Sequence, residues 1–321
     1  MKIVFKKTTE LSDDEIKGFL NCYDEVFETK ESLRAFKNEY LNTCLGYSFH
    51  SFMYDDNDNI CGGLCVIPMK YNVNGEEHLF GTGADFMVKK DCGSTFADLA
   101  SMMNAPFKYM KENGFSVYFG FPNDNADLFD IKLLRCTRIA HLDTYILPYR
   151  IGDYKKKFSF LNPLSKLFSL SLLTISRLWS VKKEYRFPIS KQRPLFENTR
   201  YKWFDEKDYV KFERDGVNAV WKVASFEGIQ ACFLIDVWPL SKRNFDFAVR
   251  HMVCSEKDKC GLFIYVGILP FSTCSMIKIP RKIEPKKFRF DVKLLNNKRV
   301  DKNLIMDPSN WEVNLSSYDL I

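Results

Sequence analysis

The sequence predicts an α/β (α+β) chain of two lobes, each a mixed, mainly antiparallel sheet flanked by helices. Three observations carry this. The stretch Ile60–Ala126 runs hairpin, glycine-bearing turn, helix and short strand. Part of that order returns later, with Asn113–Gly120 echoed by Cys260–Gly267. At 321 residues, the chain is also longer than one typical domain. The echo suggests a tandem duplication, with blocks at 1–150 and 198–321 joined by a connector over 151–197.

Taken in order, Lys2–Lys7 reads as a strand. Ser12 and Glu15 form a capping box, with Ile16, Phe19, Leu20, Tyr23 and Phe27 following at helical spacing. Glu31–Asn42 reads as a second helix and Ser48–Tyr54 as a strand. The acidic Asp55–Asn59 run is a turn; without the glycine and distal glutamate of a calcium loop, it is read as nothing more. Two apolar runs flank Asn74-Gly75, a strong hairpin signal. Phe96, Leu99, Ala100, Met103, Phe107 and Met110 share a helical face, with Pro106 expected to kink it. The strand FSVYFGFP then exits through Asn123-Asp124-Asn125-Ala126. Residues 126–136 read as a short helix and His141–Tyr149 as the strand closing the first lobe.

Composition narrows the class. With 46% hydrophobic residues, 29 Phe and 15 Tyr, packed cores are expected. The ten cysteines are scattered and read as free thiols in a reducing cytosol, not as a metal site. The N-terminus has no signal-peptide core, which leaves a cytoplasmic protein as the expectation. The net charge of +6 is uneven. Residues 151–202 hold twelve Lys/Arg against three acids, a local +9 that leaves −3 elsewhere. Within this stretch Asn162–Val181 is amphipathic. Leu164, Leu167, Phe168, Leu172, Ile175, Leu178 and Trp179 share one face, and Lys166, Ser169, Ser176, Arg177 and Ser180 the other. A helix cementing the domains is the first reading. The second is peripheral contact of 151–202 with an anionic membrane, at its inner face. No nucleic-acid motif surrounds the charge, so nucleic acid is not an expected partner.

A strand feeding a glycine-bearing turn and a helix N-terminus offers free backbone amides suited to phosphate. The motif order, the turn Lys90-x-x-Gly93-x-Thr95 and the segment Phe121-Pro122-Asn123-Asp124-Asn125-Ala126 resemble the core of the GNAT (Gcn5-related) N-acetyltransferases. The last segment is similar to a signature of a GNAT-like group associated with surface-polysaccharide biosynthesis. That resemblance implies acetyl-CoA or another acyl-CoA as co-substrate and an amine acceptor, possibly an amino-sugar. It places the cofactor on the main chain of Phe86, Met87 and Val88, with Lys90, Gly93, Ser94 and Thr95 on the pyrophosphate and Asn123 at the end of the splayed strand. Asp85 takes the place of an acid that deprotonates the amine, usually through water. No metal is implied.

Departures from the family pattern favour a rival reading, a catalytically degenerate scaffold that binds a partner or a membrane face. Lys90 stands for the usual Arg/Gln and Thr95 for a small residue, and Asp98 falls at N-cap-to-N3 spacing from Thr95. The register set by Asn123, Ala126 and Phe129 puts Asp130 where the family often has a tyrosine acid. In the second copy, Trp238-Pro239-Leu240-Ser241-Lys242 replaces the turn without a glycine, so cofactor binding is expected to be lost there. A transferase dependent on aminoacyl-tRNA shares the tandem plan but would require tRNA binding.

Overall fold

The computed structural model describes residues 1–321 apart from 154–155, 180, 200–207, 227–228, 285 and 319–321. Lys155, Ser180, Arg200 and Lys202 of the basic stretch therefore lie outside the described residues. The first half runs β1 (Lys2–Lys7), α1 (Asp13–Phe27), α2 (Leu33–Leu41), β2 (Phe49–Tyr54), β3 (Ile60–Val73) and β4 (Glu76–Val88). It continues α3 (Phe96–Glu112), β5 (Val117–Gly120), α4 (Asp127–Lys132), β6 (Thr137–His141) and β7 (Asp143–Pro148). Then come α5 (Asn162–Leu178), β8 (Ile189–Lys191), α6 (Arg193–Asn198), β9 (Val210–Arg214), β10 (Val217–Phe226) and β11 (Ile229–Trp238). The last elements are α7 (Lys242–Glu256), β12 (Leu262–Gly267), β13 (Ile277–Lys278), β14 (Arg289–Leu294) and α8 (Lys302–Met306).

The local signals have visible causes. Ser12 accepts the Glu15 amide while Glu15 accepts the Ser12 amide, closing the capping box of α1. Asn74 and Gly75 both have positive φ, which lets a two-residue turn follow the twist of β3 and β4. Helix α3 continues through Pro106 to Glu112.

Two compact units result, and neither is a contiguous block. One comprises Met1–Ala140, Pro188–Glu206 and Arg289–Asn310; the other comprises His141–Phe187, Lys207–Phe288 and Trp311–Ile321. The first unit holds the sheet β1-β2-β3-β4-β5-β14-β6, with β8 paired to β3. The second holds β13-β7-β12-β11-β10-β9. Blocks at 1–150, 151–197 and 198–321 were the expectation; each unit instead includes chain from more than one of them. In particular, β7 does not close the first sheet. It pairs antiparallel with β12, and its Tyr145 and Leu147 enter the core beneath α7. The antiparallel neighbour of β5 is β14, from beyond the second repeat.

The repeat itself is plain. In both units an antiparallel pair (β3–β4, β10–β11) leads through a helix to a short strand parallel to the second member (β4–β5, β11–β12). A β–α–β crossover of this kind buries the helix on one sheet face. Met102, Met103, Phe107 and Met110 of α3 do so in the first unit, and Phe245, Val249, Met252 and Val253 of α7 in the second.

The reading of all ten cysteines as thiols is corrected at one pair. Cys61 and Cys92 form a disulfide with Cα atoms 5.4 Å apart. The Lys89 amide donates to the Cys61 carbonyl, and this hydrogen bond holds the turn after β4 against β3. That brings the two sulfurs within bridging reach.

Candidate active site

The parallel register of β4 and β5 ends at Thr82–Phe119, although β4 continues to Val88 along β3. Strand β5 stops at Gly120 and its chain turns off into α4. A wedge therefore opens between the end of β4 and the β5–α4 segment. On its other edge β4 carries a bulge. Gly63 faces Met87 and Cys65 faces Ala84, leaving Leu64 alone against Asp85 and Phe86. Asp85 sits in the left-handed region at φ 47°, and the bulge turns its side chain and that of Phe86 off the regular alternation.

The two side chains meet different surroundings. The Tyr40 hydroxyl of α2 donates to the Asp85 carboxylate. Tyr40 is fully buried, and burial followed by the Asp85 charge pushes its phenol well above its ordinary value. Phe86 meets Phe129 of α4, ring centroids 5.3 Å apart.

Tyr118 occupies the vertex of the wedge. A Cβ built on Gly83 would lie 2.1 Å from the Tyr118 hydroxyl oxygen, so only glycine lets that hydroxyl rest against β4. Across the wedge a Cβ on Gly120 would lie 3.5 Å from Asp130 Oδ2 and 3.6 Å from Tyr118 Oη. Asp130 is buried. That burial, aided by the nearby Asp291 and Asp127 and opposed by Arg138, raises its carboxyl to about 7. Its charged neighbours are satisfied among themselves. Arg138 is bidentate on Asp291 at 2.8 and 2.9 Å and also bonds Asp127, while Arg289 holds Asp127 at 3.2 Å and Asp124 at 2.5 Å.

The turn after β4 is partly committed. Gly93 has φ 68°, and a Cβ built there would meet only Met1 Cε, at an ordinary 4.0 Å, so the backbone conformation is what requires glycine. Lys90 is exposed and Ser94 half-buried. Thr95 is the N-cap of α3 and forms the expected capping box with Asp98. The Thr95 amide donates to Asp98 at 2.9 Å and the Thr95 hydroxyl at 2.6 Å, while the Asp98 amide donates back at 3.2 Å. These bonds hold the Asp98 carboxyl below its usual range. Among the described residues the amides of Ser94, Phe96 and Ala97 have no protein acceptor. Asn123 is also engaged, its side-chain oxygen accepting the amides of Asn125 and Ala126 at 3.0 and 2.9 Å.

The residues inferred from sequence thus separate. Asp85, Phe86, Met87 and Val88 lie on the bulged end of β4, with Met87 itself in the core. Lys90, Gly93, Ser94 and Thr95 form the turn, and Asn123 caps the exit of β5. Sequence reasoning left Tyr118 unplaced and did not count Asp130 among the site residues. A signal for Tyr118 was present in the shared Tyr-x-Gly pattern of Tyr118–Gly120 and Tyr265–Gly267.

The same place in the second unit is filled. Parallel pairing of β11 with β12 ends at Leu234–Tyr265. Beyond it, Gly267 bridges to Asn314 and the Ile268 amide donates to Val313. Buried Asp236 accepts the Asn314 side-chain amide at 2.6 Å and the Ser316 hydroxyl at 3.3 Å. The start of α7 is covered as well. The Arg243 amide donates to Val181 and the Tyr185 amide to Leu240.

Residues 7–128 match the family model described as Acetyltransferase (GNAT) domain. No curated protein matches by sequence. Among solved structures, the chain is similar to a GCN5-related N-acetyltransferase from Anabaena variabilis, with TM-score 0.54 and 11% identity over 91% of this chain and 73% of that one. A conserved Enterococcus faecalis protein of unknown function, described as a probable N-acyltransferase, aligns with TM-score 0.55 and 8% identity over 92% and 73%. Eis1 from Mycobacterium abscessus aligns with TM-score 0.55 and 11% identity over 93% and 75%. Identities this low establish shared architecture only. The chain has the fold of the GNAT N-acetyltransferases, and its residues 7–128 match the acetyltransferase domain of that family.

Proposed function

We propose that the chain is an acyl-CoA-dependent N-acyltransferase, acting on an amine acceptor in the wedge of the first unit. One observation carries this reading: β4 and β5 part after Thr82–Phe119, and no described strand takes up the freed edge. The acyl-pantetheine would run along Phe86–Val88, with its pyrophosphate over the Ser94, Phe96 and Ala97 amides and Lys90 nearby. The neutral amine then attacks the thioester carbonyl carbon. Its proton passes to Asp85, directly or through water, and a backbone amide on the bulge holds the oxyanion. Collapse breaks the C–S bond, and Asp130, still partly protonated at neutral pH, returns a proton toward the CoA thiolate. An amino-sugar acceptor in surface-polysaccharide assembly, and a cytoplasmic location, belong to the same reading.

The test is thermal melting with acetyl-CoA. Ligand at about 100 times its dissociation constant should add roughly 2.7 kcal/mol. Release of CoA thiol in the presence of amino-sugars then reports transfer. No shift with any short acyl-CoA would remove the reading.

Two observations favour the rival, a scaffold without catalysis. The Asp98 carboxylate occupies the start of α3, where it opposes an anionic ligand. A cleft of about 420 Å³ beside the turn is also lined by Asp14, Glu15, Asp55, Asp58 and Asp91, against Lys89. Acetyl-CoA binding without thiol release, whatever amine is offered, would favour this rival.

A further inference from the structure

Helix α5 is mounted inside out. Its buried face is the one that carries the serines. Ser169 and Ser176 are fully buried, whereas Leu164 is 63% exposed, Leu178 76% and Trp179 69%. The serine face is what holds the helix to its own unit. The Ser165 and Ser169 hydroxyls both donate to the Pro148 carbonyl at the end of β7, the latter at 3.0 Å. Leu173 alone of its leucines is buried in the core, with Leu172 packed against that core. At about 100° per residue, Leu164, Leu167, Ile175 and Leu178 fall within one stripe roughly opposite Ser169, and exposed Phe160 precedes the helix in a 3-10 turn. A contiguous exposed apolar stripe rimmed by polar residues marks an interaction surface.

We propose that this stripe docks the protein on an anionic lipid surface, with α5 lying in the plane of the headgroups. The argument rests on charge. Between 154 and 183 the sequence has seven Lys/Arg and no Asp or Glu. Exposed Lys166 and Arg177 lie on the flank between the stripe and the serine face, and exposed Lys156, Lys157, Lys182 and Lys183 flank the stripe's two ends. Apolar side chains entering the acyl boundary, with cations held at phosphate depth, match an interfacial helix. Trp179 at the helix end suits the same depth. A span is disfavoured, although residues 156–178 are long and apolar enough for one. The serine face is bonded to β7, and Lys166 would sit in the hydrocarbon. A second copy of the chain is a poor occupant, because a self-complementary contact would set like charges against like. This inference does not depend on the acyl-transfer reading.

The experiment is co-sedimentation of the full chain with phosphatidylcholine vesicles, with and without phosphatidylglycerol, monitored also by tryptophan fluorescence. Binding to the anionic vesicles, weakened by salt and by roughly fivefold for each neutralised Lys among Lys156, Lys157, Lys182 and Lys183, is the expected result. A blue shift absent from Trp179→Phe supports it further. Leu164→Glu with Leu178→Glu, both at exposed positions, should abolish binding and leave the melting temperature unchanged. Equal binding to neutral and anionic vesicles overturns the proposal. So does a dimer, seen by light scattering and dissolved by Leu164→Glu, in a protein that ignores vesicles.

Discussion

The two units contain the same device in two conditions. Each has a strand that outruns its parallel partner, and each has a Tyr-x-Gly at the end of that partner. In the second unit, Val313–Ser316 fill the gap and buried Asp236 is bonded to Asn314 and Ser316. In the first, the gap is bordered by Tyr118, Phe86, Phe129 and Asp130 instead of a further strand. A diverging strand pair exposes backbone groups that must find partners. The second unit supplies them from its own chain, whereas in the first no described strand does so. A duplicated fold therefore need not keep a duplicated site.

The largest expected effects come from the glycines that accommodate the two tyrosines. Gly83→Ala should destabilise the protein by about 1–3 kcal/mol, because its methyl would overlap the Tyr118 hydroxyl, and should abolish the acetyl-CoA thermal shift. Gly267→Ala meets Tyr265 Oη at 2.7 Å and the Val313 carbonyl at 2.8 Å. It should cost a similar amount in urea unfolding yet leave that shift intact. Equal loss of the shift in both variants would break the contrast between the units.

Asn314→Ala comes next. It removes a hydrogen-bond donor to a buried carboxylate and should cost about 1–3 kcal/mol without changing acyl-CoA affinity. Isothermal titration of the variant with acetyl-CoA checks the second half of that statement.

Asp130 predicts a pH dependence. Its carboxyl titrates at about 7 in the folded chain and at about 4 when unfolded. Between these values the folded state holds the extra proton, so this group's contribution to stability falls as pH rises from about 4 to about 7. Above that both states are ionised and the dependence ends. Asp130→Asn should flatten this part of the profile and raise stability relative to wild type near pH 8. Parallel melting curves for the two proteins would sink the assignment of a raised pKa to Asp130.

The smallest effect is at Asp98. Asp98→Asn weakens a capping box, costing about 1 kcal/mol, and removes a negative charge from the start of α3. Acetyl-CoA should then bind more tightly, as titration calorimetry would report. Weaker binding would mean that the carboxylate organises the turn rather than obstructing it.

Signals that act within a few residues were legible in the sequence. The Ser12 and Thr95 capping boxes, the Asn74-Gly75 turn, the turn at Gly93 and the repeat of strand, helix and strand each follow from local backbone and side-chain chemistry. The turn could therefore be named as suited to phosphate, while the end of β4 was implied as a cofactor edge only by the resemblance to the GNAT family. What tertiary structure decided were matters of partnership between distant segments. Strand β7 reads as the end of one lobe, but β12 offers it an edge, so its hydrophobic residues are buried in the other unit. Asp85 could be named from the resemblance as a candidate base, but only the slipped register with β3 puts it on a bulge under Tyr40. Helical spacing showed that α5 has two faces, but not which one turns outward. Periodicity records only that the faces differ, whereas the serine bonds to Pro148 choose between them.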